Sequence, residues 1–186
     1  MIQNFKDLKY YLKEDRRALN VKRGGVIGYL KAIVYLNFTY LFQVNLRIAE
    51  YFSNNNGLIN KILSLGFKYK YNILGVICGF SIPINTFGPG LAIVHRGTIV
   101  VHHNARIGAN CRIHVCTNIG ATGGSDKAPI IGENVYIGPG VKIYGNIRIA
   151  NSVAIAANSA VNKSIFKENV TVGGVPASII RDVNAN

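Results

Sequence analysis

A mainly β chain, coiled as a β-helix behind a short α-helical region, is what three observations in this sequence predict. Aliphatic residues recur every six positions through Val101, Ile107, Ile113 and Ile119, and again through Ile131, Ile137, Ile143, Ile149, Ile155 and Val161. A second column of small or branched residues follows four positions later, including Ala105, Cys111, Thr117, Val135, Val141, Ile147, Val153, Ser159 and Ile165. Glycine is abundant, at 20 of 186 residues, and tryptophan is absent. Helices repeat at 3.6 residues and simple strands at two, so a sustained period of six belongs to neither. It fits short strands that each send one aliphatic side chain inward, stacked coil upon coil so that the apolar column becomes continuous.

Residues 1–80 have a different grammar and read as helical. The stretch from Val26 to Phe52 is apolar almost throughout, interrupted by Lys31, Asn37, Gln43, Asn45 and Arg47. Those interruptions, and the Arg47/Glu50 end, favour a buried or interfacial helix over a membrane span. Asn54-Asn55-Asn56-Gly57 is a break, and a second helix is expected from Leu58 to about Tyr71. This region carries 12 basic and 4 acidic residues, which suits either a solvated face or a helix pair on an anionic membrane surface.

The β-helix is expected over residues 81–175, with a tail from 176 to 186. Its column fails once, at Ser125, inside GATGGSDKAP (residues 120–129). Glycines and a proline there mark a loop leaving the coil, a common place for function on a rigid scaffold.

Composition narrows the partners. Twenty-one Lys and Arg against eight Asp and Glu give a net charge of +13, and no acid occurs between Tyr51 and Ser125. Such a field favours anionic partners. Nucleic acid is not expected, because no recognised motif or stacking-aromatic arrangement accompanies the basic residues. The three cysteines form no CxxC pair, and the opening MIQNFKDLKYYLKEDRR is polar. Free thiols in a reducing cytoplasm, with the inner face of the membrane as a second location, are the expectation.

Three of the four histidines (His95, His102 and His103) fall within nine residues of VHRGTIVVHHNARIG. His102 and His103 are adjacent and on a strand would face opposite sides, so a shared metal ion is not expected. His95 lies six residues before Val101 and is read as a member of the column's register, a slot filled elsewhere by Val or Ile. His102, His103 and His114 are read as structural or acceptor-facing.

The stretches IGATGGSDKAPIIGENVYIGPGVKIYGNI and TVGGVPASII, with IPINTFGPGLAIVHRGTIVV, resemble the hexapeptide-repeat acyltransferases, in particular the serine acetyltransferase branch. The resemblance covers about residues 81–180. It implies a left-handed parallel β-helix, a homotrimer that sometimes pairs into a hexamer, and acetyl-CoA in a groove between subunits. It maps the catalytic histidine to His95 and the cofactor groove to Gly120, Ala121, Thr122, Gly123, Pro139 and Ala157. Two departures follow. The branch's aspartate before the histidine falls near Phe80 and Ser81 here, and its Arg-His pair before the loop proline is Lys127-Ala128. Lys127, Arg96, Ser81 and Asn85 are therefore the acceptor-side candidates. A backbone carbonyl, Asn85, Ser81 or a distant acid would orient the imidazole. Short, apolar-headed chains of this kind also occur among transferases that acetylate sugar hydroxyls of bacterial surface polysaccharides. That makes a sugar O-acetyltransferase the first expectation, serine O-acetyltransferase the second, and an inactive scaffold the third. A zinc site of the γ-carbonic anhydrase type would need an HxxxxH pair that this sequence lacks.

Overall fold

In the computed structural model, which describes residues 1–182, four helices precede a triangular coil of parallel strands. Helix α1 (Phe5–Ala18) is capped by Asn4, whose side chain accepts from the Asp7 N–H. Helices α2 (Gly25–Val34) and α3 (Phe38–Asn54) replace the single helix expected over 26–52. Leu36 adopts a left-handed conformation with φ 52°, and the Asn37 side chain caps the new start. Helix α4 (Leu58–Cys78) runs to the strands, a turn or more beyond the expected end. No helix of the described residues is long and apolar enough to cross a membrane.

The strands follow as β1 (Phe80–Ser81), β2 (Ala92–Ile93), β3 (Ile99–Val101), β4 (Arg106–Ile107), β5 (Arg112–Ile113), β6 (Thr117–Gly120) and β7 (Ile130–Ile131). Then come β8 (Tyr136–Ile137), β9 (Lys142–Tyr144), β10 (Arg148–Ile149), β11 (Ala154–Ile155), β12 (Ala160–Val161), β13 (Val170–Gly174) and β14 (Ala177–Asp182). They build three faces. The first is β1-β3-β6-β9-β12, the second β4-β7-β10, and the third β2-β5-β8-β11-β13-β14. All pairs are parallel except β13 with β14. The segment from 176, expected as a tail, thus forms the last strand of the third face and covers an edge that would otherwise be unpaired. Residues 183–186 lie outside the described residues.

The six-residue column is the core. Ile113, Ile119, Ile137, Ile143 and Ile155 have no exposed surface, and Ile137 pairs with both Ile113 and Ile155 in register. Corners of three or four residues flank the third face, and the third residue of each is left-handed. Asn110, Asn134 and Ser152 do this before the third face, and Cys116, Gly140 and Asn158 after it. Asparagine tolerates that conformation better than other residues with a Cβ, because its short side chain bonds locally.

The helices join this core through charge as well as apolar packing. Arg47 is fully buried. Its guanidinium donates to Asp15 at 2.7 and 3.3 Å, to Glu50 at 3.0 Å, and to the carbonyls of Phe87 and Gly88 at 3.0 and 2.7 Å. Asp15 accepts in turn from the Gly90 and Leu91 N–H groups, and Glu50 from the Asn85 N–H. Burial alone would make Arg47 less basic, but Asp15 and Glu50 more than offset that and raise its pKa. Gln43 adds a bond in each direction, to the Leu91 carbonyl and from the Ile93 N–H. Every charge in this cluster has a partner, which is the condition for burying it at all.

Candidate active site

The corner from the third face to the first positions His95. Ile93 pairs with Ile113 and Ile99 with Thr117, so six residues do here what four do one coil later. The corner Val94-His95-Arg96-Gly97-Thr98 is longer by two, and it bulges outward. His95 is therefore exposed and does not occupy the inward column. Ile93 fills that slot, with no exposed surface. The expected register is corrected by this two-residue insertion. Counting back by sixes from Val101 crosses it without notice.

The end of α4 supports the bulge from below. The Gly97 N–H donates to the Cys78 carbonyl, and Ile99 N–H to that of Gly79. Gly79 closes α4 with φ 79°, and a Cβ there would stand 3.2 Å from the Gly97 carbonyl carbon. A left-handed residue without a side chain is what the close stacking requires.

On the next coil, His114 lies beside His95, with ring centroids 6.3 Å apart, and the Tyr136 ring lies 5.1 Å beyond it. The Nε2 of His114 is buried and makes no hydrogen bond within the chain. Its pKa is lowered by burial first, then by the positive charge of Arg112 and the neighbouring His95. An uncharged imidazole with a free nitrogen beside an exposed one is suited to proton transfer and to contact with a polar bound group. The reading of His114 as structural or acceptor-facing did not include this pairing. The signal was its position one coil after His95, which the two-residue insertion hid.

Beyond His114 the same corner carries small residues on the outer coils, Gly138, Pro139 and Gly140 and then Ala156 and Ala157. The Gly140 N–H donates to the Val115 carbonyl and the Asn158 N–H to that of Pro139, so Val115, Pro139 and Ala157 stack in one line. Pro139 and Ala157 are exposed. No carboxylate stands in this line, so its charge suits an anionic group.

The glycine loop lies elsewhere. Gly120 ends β6, and Ala121, Thr122 and Gly123 leave the first face at its far border, toward the second. Ile119 pairs with Ile143, 24 residues on, where an uninterrupted coil such as Ile137 to Ile155 takes 18. The loop accounts for the surplus six, which is why the column fails at Ser125. Lys127 is exposed on the loop, and Asn104 donates to the Asp126 carbonyl to anchor it. His102 and His103 sit in the turn of that border. Their rings are 4.3 Å apart, not on opposite sides as expected, because the pair occupies a turn and not a strand. Among the described residues no group of three or more His, Cys, Asp or Glu could hold a metal ion.

The acceptor-side candidates scatter. Asn85 lies at the first coil's turn toward the second face, and its amide exchanges hydrogen bonds of 2.9 Å with Asn54. It is committed to docking α3 and does not orient His95. Ser81 is exposed on the first face, paired with Val100. Arg96 follows His95 but turns toward the helices, its guanidinium 5.9 Å over the Phe38 ring.

Known proteins match this architecture. The family described as bacterial transferase hexapeptide (six repeats) matches residues 128–163. A serine acetyltransferase of Buchnera aphidicola subsp. Schizaphis graminum is 39% identical over 108 residues, covering 56% of this chain and 41% of that protein. Serine acetyltransferase 2 of Arabidopsis thaliana is 29% identical over 179 residues, covering 95% and 53%. The chain thus spans about half the length of these curated relatives. Among solved structures, a serine acetyltransferase from Brucella abortus strain S19 superposes with a TM-score of 0.72 at 30% identity, covering 95% of this chain and 70% of that one. A Brucella abortus serine acetyltransferase in complex with coenzyme A superposes at 0.74 with 29% identity, covering 98% and 71%. The three-faced coil is accordingly a left-handed parallel β-helix, and the chain belongs to the hexapeptide-repeat transferase family.

Proposed function

We propose that this protein is an acetyl-CoA-dependent O-acetyltransferase with His95 as general base and L-serine as the acceptor its relatives favour. The observation that carries the reading is His95 itself. It is exposed on a bulged corner, next to the imidazole of His114, whose pKa burial lowers, at the foot of a line of small residues. The serine acetyltransferase names of the relatives, one of them solved with coenzyme A, support both donor and acceptor.

In the reaction, His95 takes the proton from the acceptor hydroxyl as that oxygen attacks the thioester carbonyl. The carbonyl oxygen becomes an oxyanion, met by a backbone N–H of the glycine loop or a corner. The tetrahedral centre then expels the coenzyme A thiolate, and His95 returns the proton to sulfur. His95 and the loop residues Gly120 to Gly123 stand on opposite borders of the first face in one protomer. A groove holding both needs a second protomer, which supports a homotrimer with sites between subunits.

A second acceptor, a sugar hydroxyl, rests on one specific observation. No acid lies between Tyr51 and Ser125, and Ala128, buried, stands where the branch carries its substrate-gripping histidine. On the coil that carries His95 an amino acid's ammonium group meets no carboxylate of this chain, and a neutral sugar needs none. Offering acetyl-CoA with serine, free sugars and purified polysaccharide in parallel, and following thiol release, separates the readings. Turnover on serine alone establishes the first, and turnover on sugars alone the second.

A further inference from the structure

Much of the apolar side-chain surface of the helical region is exposed. Sixteen of the 27 large apolar side chains exposed among the described residues lie on α4 or between Val26 and Leu36. Val26 is 76% exposed, Leu58 74% and Val76 85%. Only Gly28 and Ala32 of α2, and Ser64, Leu74, Gly75 and Cys78 of α4, are buried. The two helices border one cavity of about 730 Å³, with Val26 and Leu30 on one side, Phe67 and Lys70 on the other, and Val44 and Ile48 of α3 as floor. Patches of this extent mark interaction sites, not ordinary surface.

Charge identifies the occupant. Arg47, Asp15 and Glu50 are locked together inside, which leaves eleven basic and two acidic residues over 1–80. Lys22, Arg23, Lys31, Lys61 and Lys70 are exposed on or beside the apolar helices, and no carboxylate lines the cavity. A second copy of this chain would bring an equally positive surface against this one. An anionic bilayer supplies both apolar depth and negative headgroups. Neither helix can span it.

We infer that α2 and α4 dock this protein, in the plane of the interface, on an anionic phospholipid bilayer. The inference is independent of which hydroxyl is acetylated. The test is flotation of the purified full chain with vesicles of phosphatidylcholine alone or with about 30 mol% phosphatidylglycerol. Binding should be about tenfold or more stronger on the anionic vesicles and should weaken as salt shortens the screening length from about 10 to about 3 Å. Ile62→Glu with Leu65→Glu should abolish flotation. Lys31→Glu with Lys61→Glu, which spares every apolar contact, should remove the preference for anionic lipid. All four positions are exposed, and unchanged helical circular dichroism verifies the fold of each variant. Absence of binding to anionic vesicles at low salt overturns the inference. So does self-association that Ile62→Glu with Leu65→Glu dissolves while the parent chain ignores vesicles.

Discussion

The β-helix and the helices beneath it solve the same burial problem in opposite ways. Each coil of the β-helix repeats one instruction, an inward Ile or Val at every sixth position, and pairs its strands with the coils above and below. Its interior is apolar, and no single residue is indispensable to its logic. The helical region buries a five-way network around Arg47 and leaves much of its apolar surface outside. A repeated apolar column tolerates insertions between its repeats, such as the glycine loop and the longer His95 corner. A buried charge cluster tolerates nothing, because each missing partner leaves a charge unpaired.

Removing Arg47 should therefore cost most. Arg47→Ala strands Asp15 and Glu50 and should destabilise the docked helices by about 3–5 kcal/mol. In a urea titration the helical signal should go before the β signal. A single transition at the parent midpoint would mean that the network does not hold the two regions together. Ile137→Ala, at the centre of the column, should cost about 2–5 kcal/mol and move the β transition, leaving the helical one in place. A shift of both would erase the distinction between the regions.

The smallest effect concerns one histidine of the β-helix. The fold lowers the pKa of His114, so it prefers the neutral ring. Stability from this source is complete above the unfolded value, about 6.5, and is lost as pH falls through the lower folded value. The melting temperature should decline from pH 7.5 to 5, and less steeply in His114→Gln. Equal slopes in the two proteins would place the acid sensitivity elsewhere.

Much of the architecture was legible because stacking imposes a strict period. The column from Val101 to Val161, the loop at Ser125 and the change of grammar near residue 80 all follow from it. What was illegible shares a physical cause, dependence on partners far along the chain. Arg47 reads as the polar end of an apolar stretch until Asp15, 32 residues earlier, is seen to neutralise it. Asn85 reads as a candidate beside His95 until Asn54 takes its amide. His95 stands out in the sequence as a candidate base, but its place in the column does not, since two extra residues before Ile99 leave no mark in a count by sixes. That same miscount separated His95 from His114.

Thiol release from acetyl-CoA by the His95→Ala variant tests the central claim most directly, measured with the acceptor that the parent protein uses and with the mass of both proteins in solution checked in parallel. Turnover should fall about 10²- to 10⁴-fold with the mass in solution unchanged. Turnover near that of the parent protein would contradict the assignment of His95 as the base.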